Sequence, residues 1–226
     1  MDRIAENTIL ILSGVPCVGK TSAAHNITRI CPDFQCVCEL DIITAVIRTT
    51  LDNLANEGLL PEDAINDGYS ELYKSLTVSD LGTTKAHSKR LIPYIKEIIR
   101  HQQSRKIPTI IEGSGIIPDL FFPDGEPFEW LDSNIIFVNL YISDKHQQRV
   151  RRSNRYLERE YPEAYSEIIR REDLVINEKN VALHSEALSL SASHPNVFSI
   201  DTAYLTSCEV AEKIINIVFS YFSSKL

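Results

Sequence analysis

The stretch Gly14-Val15-Pro16-Cys17-Val18-Gly19-Lys20-Thr21, entered by the apolar run Thr8-Ile9-Leu10-Ile11-Leu12 and left through Ser22-Ala23-Ala24-His25-Asn26-Ile27, limits this chain more than any other. A short apolar run ahead of a glycine-framed loop reads as a buried strand, and the residues after the loop permit a helix. Gly14 and Gly19 lack a Cβ, so the backbone can turn tightly and gather N–H groups at the positive end of that helix. By average residue usage, the four fixed positions Gly14, Gly19, Lys20 and Thr21 would coincide in a chain this size on the order of one time in a hundred. The strand before and the helix after make coincidence rarer still. The stretch is therefore read as a phosphate-binding loop for a nucleoside triphosphate, with Gly14 to Ser22 as the nucleotide-binding residues. Lys20 carries a flexible ammonium to the β- and γ-phosphates, and the Thr21 hydroxyl is placed to ligate a bridging Mg²⁺.

The 226 residues suffice for one sizeable core, and no Pro/Gly/Ser-rich linker divides them, so a single domain over 1–226 is expected. A formal net charge of -8 argues against a broad nucleic-acid surface, whose affinity rests on neutralising phosphates. The five cysteines are odd in number and lack zinc-ligand spacing, with Cys36-Val37-Cys38 in a strand-like run, so a reducing cytoplasm is the expected compartment. The first apolar run is too short for a membrane span and ends in the phosphate loop, so neither a membrane anchor nor a signal peptide is expected. The six histidines show no metal-ligand spacing. Nothing in the sequence settles the oligomeric state.

Beyond the first helix, Gln35 to Leu40 reads as a second strand, Ile107 to Ile111 as a third, Asn134 to Ile142 as a fourth and Asn196 to Ile200 as a fifth. Helical patterns lie between them, including an apolar face at Leu91, Ile92, Ile95, Ile98 and Ile99, and a last helix uses Val210, Ile214, Ile215, Ile217, Val218 and Phe219. Short, nearly continuous apolar strands alternating with helices imply an α/β fold: a parallel five-stranded sheet with helices on both faces, with its ligands outside the carboxyl ends of the strands. Residues 51–105 are expected to include a helical cap on the acceptor side and residues 144–180 a lid. Ile168, Ile169, Val175, Ile176 and Leu183 are the expected buried positions of the helices that follow Tyr161-Pro162.

Phosphoryl transfer needs a cradle, a metal, a group that orients the acceptor hydroxyl, and positive charge for the transferring group. Asp41, at the end of the second strand, is expected as the acceptor-hydroxyl base and as the cap of the next helix. Glu112, with Gly113 and Gly115 beyond it, is expected to hold a metal-bound water or contact the acceptor, with Gly113 allowing close approach. Arg149, Arg152, Arg155 and Arg159 fall within about a third of a helix circumference at about 100° per residue, which suits a phosphate-clamping lid. The plain alternative is a solvated face paired with Glu158 and Glu160. Arg48, on the helix after Asp41, is a further candidate for the acceptor.

The loop Gly14 to Thr21, the strand ends Glu39-Leu40-Asp41-Ile42-Ile43 and Ile110-Ile111-Glu112-Gly113-Ser114-Gly115-Ile116-Ile117-Pro118, and the Arg155-Tyr156 pair of the basic stretch together resemble P-loop small-molecule kinases, in particular the 2-phosphoglycerate kinase group. The resemblance implies an adenylate-kinase-like (nucleoside-monophosphate-kinase-like) P-loop NTPase fold, ATP and Mg²⁺, and transfer of the γ-phosphoryl group to a small hydroxylated or phosphorylated acceptor. By carry-over, Arg149 or Arg152 would lie over the adenine or phosphates. The residues read above give Lys20, Asp41, Arg149 and Arg152 as the expected catalytic residues, Asp41, Arg48, Glu112, Gly113 and Arg155 as acceptor-binding residues, and Thr21 and Glu112 at the metal. Cys17 stands where the family has a small residue, with a proline before it. A nucleoside or nucleotide kinase, and a non-catalytic ATP-dependent switch, are the competing readings.

Overall fold

The computed structural model describes residues 4–59, 81–157 and 188–225. Its strands are β1 (Ile9–Gly14), β2 (Cys36–Glu39), β3 (Thr109–Glu112), β4 (Ile135–Tyr141) and β5 (Val197–Asp201). Its helices are α1 (Lys20–Ile30), α2 (Leu40–Asn56), α3 (Leu81–Ser104), α4 (Lys145–Leu157) and α5 (Ser207–Ser223). The strands form one five-stranded sheet in the order β2-β3-β1-β4-β5, and every pairing is parallel. Observed strand limits lie within about two residues of those read from the sequence, the usual uncertainty of element ends. Among the described residues, no helix is long and apolar enough to cross a membrane.

A parallel sheet must be covered on both faces, because each crossover lays a helix against it. The alternation along β1 divides the core accordingly. Leu10 and Leu12 join Ile110, Ile136, Val138 and Leu140 under α1 and α5, where Ala23, Ala24, Ile27, Val210, Ile214 and Val218 complete one apolar layer. Ile9 and Ile11 point the other way, with Ile111, Ile135 and Phe137, and meet Leu91, Ile95 and Ile99 of α3. Phe121 and Phe122, from the turns that follow β3, close that second layer against Phe137 with ring centroids 5.3 and 5.5 Å away. Helix α3 is continuous through Pro93.

Strand β1 comes first in the chain yet lies at the centre of the sheet. Its connection leaves toward β2, while that of the neighbouring β4 leaves toward β5 on the opposite side. Connections diverging from adjacent strands open a crevice at the carboxyl edge, and the loop 15–19 sits there. The central position makes that edge crowded. Gly14 has φ 138°, and a Cβ on it would lie 2.2 Å from the Leu140 carbonyl oxygen and 3.0 Å from Val18 Cγ2.

One detail differs from the sequence reading. Helix α2 begins at Leu40, directly after β2, so Asp41 lies in its first turn and is not the residue that precedes the helix. Leu40 is pulled into the helix because its side chain is 1% exposed and packs over Gly113. An acid in a first turn still faces the positive end of the helix dipole. At α4 an acid does precede the helix and caps it: the Asp144 carboxylate accepts from the His146 and Gln147 amides at 2.7 and 3.2 Å. Residues 60–80 of the expected cap and 158–180 of the expected lid, with Arg159, Ile168, Ile169, Val175, Ile176 and Leu183, lie outside the described residues.

Because Gly14 has a left-handed φ and no room for a methyl group, Gly14→Ala is expected to destabilise the fold by roughly 2–4 kcal/mol. Urea denaturation of the two proteins measures this directly.

Candidate active site

The loop 15–19 turns through left-handed backbone at Cys17 (φ 72°) and Gly19 (φ 95°). For Cys17 this conformation costs on the order of 1 kcal/mol, a strain the surrounding contacts must hold. Val15 and Val18 provide them, buried at 4% and 0% exposure, while Pro16 is exposed. Gly19 occupies the position before α1, with no side chain to cap the first amides of the helix. Donors of this kind at a helix start are ones an anion can satisfy.

Lys20 opens α1 and is 6% exposed. A buried ammonium needs acceptors, and its Nζ donates to the carbonyls of Gly14 at 3.0 Å and Val15 at 3.1 Å and to Ser114 Oγ at 3.0 Å. The cation is therefore held across the mouth of the loop, between the ends of β1 and β3. Ser114 carried no assigned role in the sequence reading, because its partner lies 94 residues away in the chain.

Glu112 ends β3 at 3% exposure, and its carboxylate accepts from Thr21 Oγ1 at 2.8 Å. Burial pushes its pKa up. The Thr21 hydrogen bond and Lys20 oppose that shift, while the nearby carboxylates of Asp41 and Glu39 add to it. Glu39 is the register partner of Glu112 across β2 and β3, and it also meets His25 Nε2 at 3.5 Å. Glu39 and Asp41 are thus near enough to Glu112 to be felt electrostatically, yet among the described residues no three acidic, histidine or cysteine side chains converge as a metal site; Thr21 and Glu112 are the pair in direct contact. Asp41 is exposed, so its carboxylate faces solvent at the rim.

At Gly113 the bare backbone has a packing role as well. A Cβ there would lie 2.8 Å from Leu40 Cβ, so the missing side chain is what lets α2 start against β3. Arg149 is exposed on α4, and Arg152 and Arg155 lie on the same helix, their side chains outside the described residues, as is that of Arg48 on α2. Cys36 and Cys38 share one side of β2 with their sulfurs 3.8 Å apart, and burial pushes the Cys38 thiol up to about 12. Such a thiol stays protonated and behaves as an apolar filler, as read from the sequence.

The raised Glu112 pKa fixes the sign of a pH effect. Its folded value lies above the ordinary 4.5, so its contribution to stability is fully present below that value and is lost as pH rises through the folded one. A glutamine stays neutral throughout. Glu112→Gln is therefore expected to melt above the parent protein near about pH 8, with the gap closing toward about pH 4. Thermal melts of both proteins across that range check it.

No known family profile matches the chain, and no curated protein matches it. Among solved structures, a shikimate kinase from Acinetobacter baumannii in complex with shikimate is similar over 94% of this chain and 93% of that one, with 14% sequence identity and a TM-score of 0.47. At that level the function has to be read from the chain's own residues.

Proposed function

We propose that the protein is an ATP-dependent phosphotransferase that moves a γ-phosphoryl group to the hydroxyl of a small metabolite. The observation that carries this reading is the joint burial of Lys20 and Glu112 at the loop mouth, one bonded to the loop's own carbonyls and the other to Thr21. Such a pair has no packing purpose that apolar residues would not serve as well, whereas it suits a polyphosphate and its metal.

In this reading the amides of residues 15–20 cradle the phosphates, and Lys20 exchanges its carbonyl partners for phosphate oxygens. Thr21 and Glu112 would hold Mg²⁺, which when bound would supply charge neutralisation for the phosphates. Asp41 takes the acceptor's proton from the exposed rim, and Arg48, Gly113 and Arg155 belong to the acceptor pocket. Arg149 and Arg152 bring positive charge to the transferring group from a lid over residues 144–180, and residues 51–105 supply the acceptor-side cap. The acceptor that the family resemblance suggests is 2-phosphoglycerate. A reducing cytoplasm fits five cysteines that are all free thiols.

Incubation with ATP, Mg²⁺ and a panel of sugar acids, polyols, nucleosides and nucleoside monophosphates is expected to give acceptor-dependent ADP. If no acceptor raises ADP above background, the phosphotransferase reading is wrong and a nucleotide-binding switch takes its place; stimulation by nucleosides alone makes it a nucleoside kinase. Lys20→Ala is expected to lower turnover by at least about a hundredfold while the protein stays folded. Asp41→Asn is expected to slow the chemical step with ATP affinity nearly unchanged; lost ATP affinity instead would make Asp41 a metal or structural residue.

A further inference from the structure

The arginines of α4 do not share one environment. Arg149 is exposed, whereas Arg151, about 200° round the helix from it, is half-buried on the side of Gln148, itself 3% exposed. The guanidinium of Arg151 is turned onto the backbone that joins β5 to α5. Its Nη2 donates to the carbonyls of Thr202 at 2.5 Å, Ala203 at 3.3 Å and Leu205 at 3.1 Å, and its Nη1 reaches Thr202 Oγ1 at 3.5 Å.

Thr202 carries the contact onward. It is 0% exposed, and its hydroxyl proton is shared between the carbonyls of Val18 and Tyr141, each 3.1 Å away. Val18 belongs to the phosphate loop. A peptide unit is planar and trans, so fixing the Val18 carbonyl aims the Gly19 N–H in the opposite direction. Gly19 is also where the backbone is left-handed, the point of the loop with the most freedom to turn. The rest of the segment is held from the same side: Asp201 accepts from Ser143 and from the Ala203 amide at 3.0 Å, and Tyr204 donates to Asp144.

We propose that Arg151 is a positioning residue for the phosphate loop: by gathering the carbonyls of 202–205 it presses Thr202 against Val18 and so sets the Gly19 amide, without touching the nucleotide. This rests on the nucleotide-binding reading above. A planar fork with fixed donor directions suits several carbonyls in one short segment, whereas an ammonium on a flexible stem does not. It also separates Arg151 from Arg149 and Arg152, which are proposed to act on the phosphates directly.

The test is a double-mutant cycle of Arg151→Ala and Thr202→Val, read by Mg-ATP affinity and by hydrogen exchange of the amides of residues 17–20 without nucleotide. Each single variant is expected to weaken Mg-ATP binding about five- to thirtyfold and to speed exchange at 17–20, with exchange in β4 unchanged. The double variant should be no more than about twofold worse than the weaker-binding single. Arg151→Lys should recover little. Additive losses, unchanged exchange at 17–20, or a loss in kcat alone that Arg151→Lys restores would overturn the proposal, the last by placing Arg151 on the phosphates. Should Arg151→Ala fail to fold, Thr202→Val alone decides, since unchanged exchange at 17–20 in that variant removes the clamp. If the parent protein fails to bind Mg-ATP, the nucleotide reading falls, and the exchange measurement still decides whether Arg151 sets the loop.

Discussion

A lysine and a glutamate buried at the carboxyl edge of an apolar sheet, close enough to feel each other's charge, set the terms for everything around them. Lys20 and Glu112 are 6% and 3% exposed. Ions out of water are tolerated only when their remaining donors and acceptors are met by well-placed partners. Lys20 meets this with two loop carbonyls and Ser114, and Glu112 with the hydroxyl of Thr21. The loop can supply those carbonyls only in a tightly turned form, which in turn needs left-handed backbone at Cys17 and Gly19 and a bare Gly14 against Leu140. Removing any of these contacts leaves a buried polar group with fewer partners to offset its burial.

The sheet explains why such a site is stable enough to exist. With β1 at its centre, Leu10 and Leu12 are covered by α1 and α5 and Ile9 and Ile11 by α3, so the strand that carries the loop is the one least able to move. Each fully buried side chain of this size contributes about 1.5–3 kcal/mol relative to exposure. That rigid base can hold a strained loop and a carboxylate whose burial works against it, the common arrangement at sites where chemistry is done. The β5 edge adds a second support, because Thr202 reaches from the far side of β4 to the loop's Val18 carbonyl.

Much of this was legible in the residues. Periodicity placed all five strands to within about two residues, since a fully covered parallel strand has to be apolar along its length. The cap of α4 is likewise local, an acid directly before the helix. Other features were local and still escaped: Thr206 and Glu209 form a reciprocal capping box at the start of α5, a pattern of a hydroxyl followed three residues later by an acid that was there to be read. Asp41 was misplaced by one step, because whether Leu40 ends a strand or begins a helix depends on its packing over Gly113, a contact 73 residues away that no local pattern encodes.

By itself the sequence determined the order of elements, the phosphate loop and the identity of its lysine and hydroxyl, because these depend on residues adjacent in the chain and on hydrophobic period. Only the tertiary structure decided that Ser114 completes the shell of Lys20, that Thr21 and Glu112 share a hydrogen bond, and that Arg151 faces backbone carbonyls while Arg149 faces solvent. The reason is physical: such partners are chosen by the register of parallel strands and the direction a helix presents to a neighbouring loop, and both arise from how the crossovers pack, at separations where chain order says nothing.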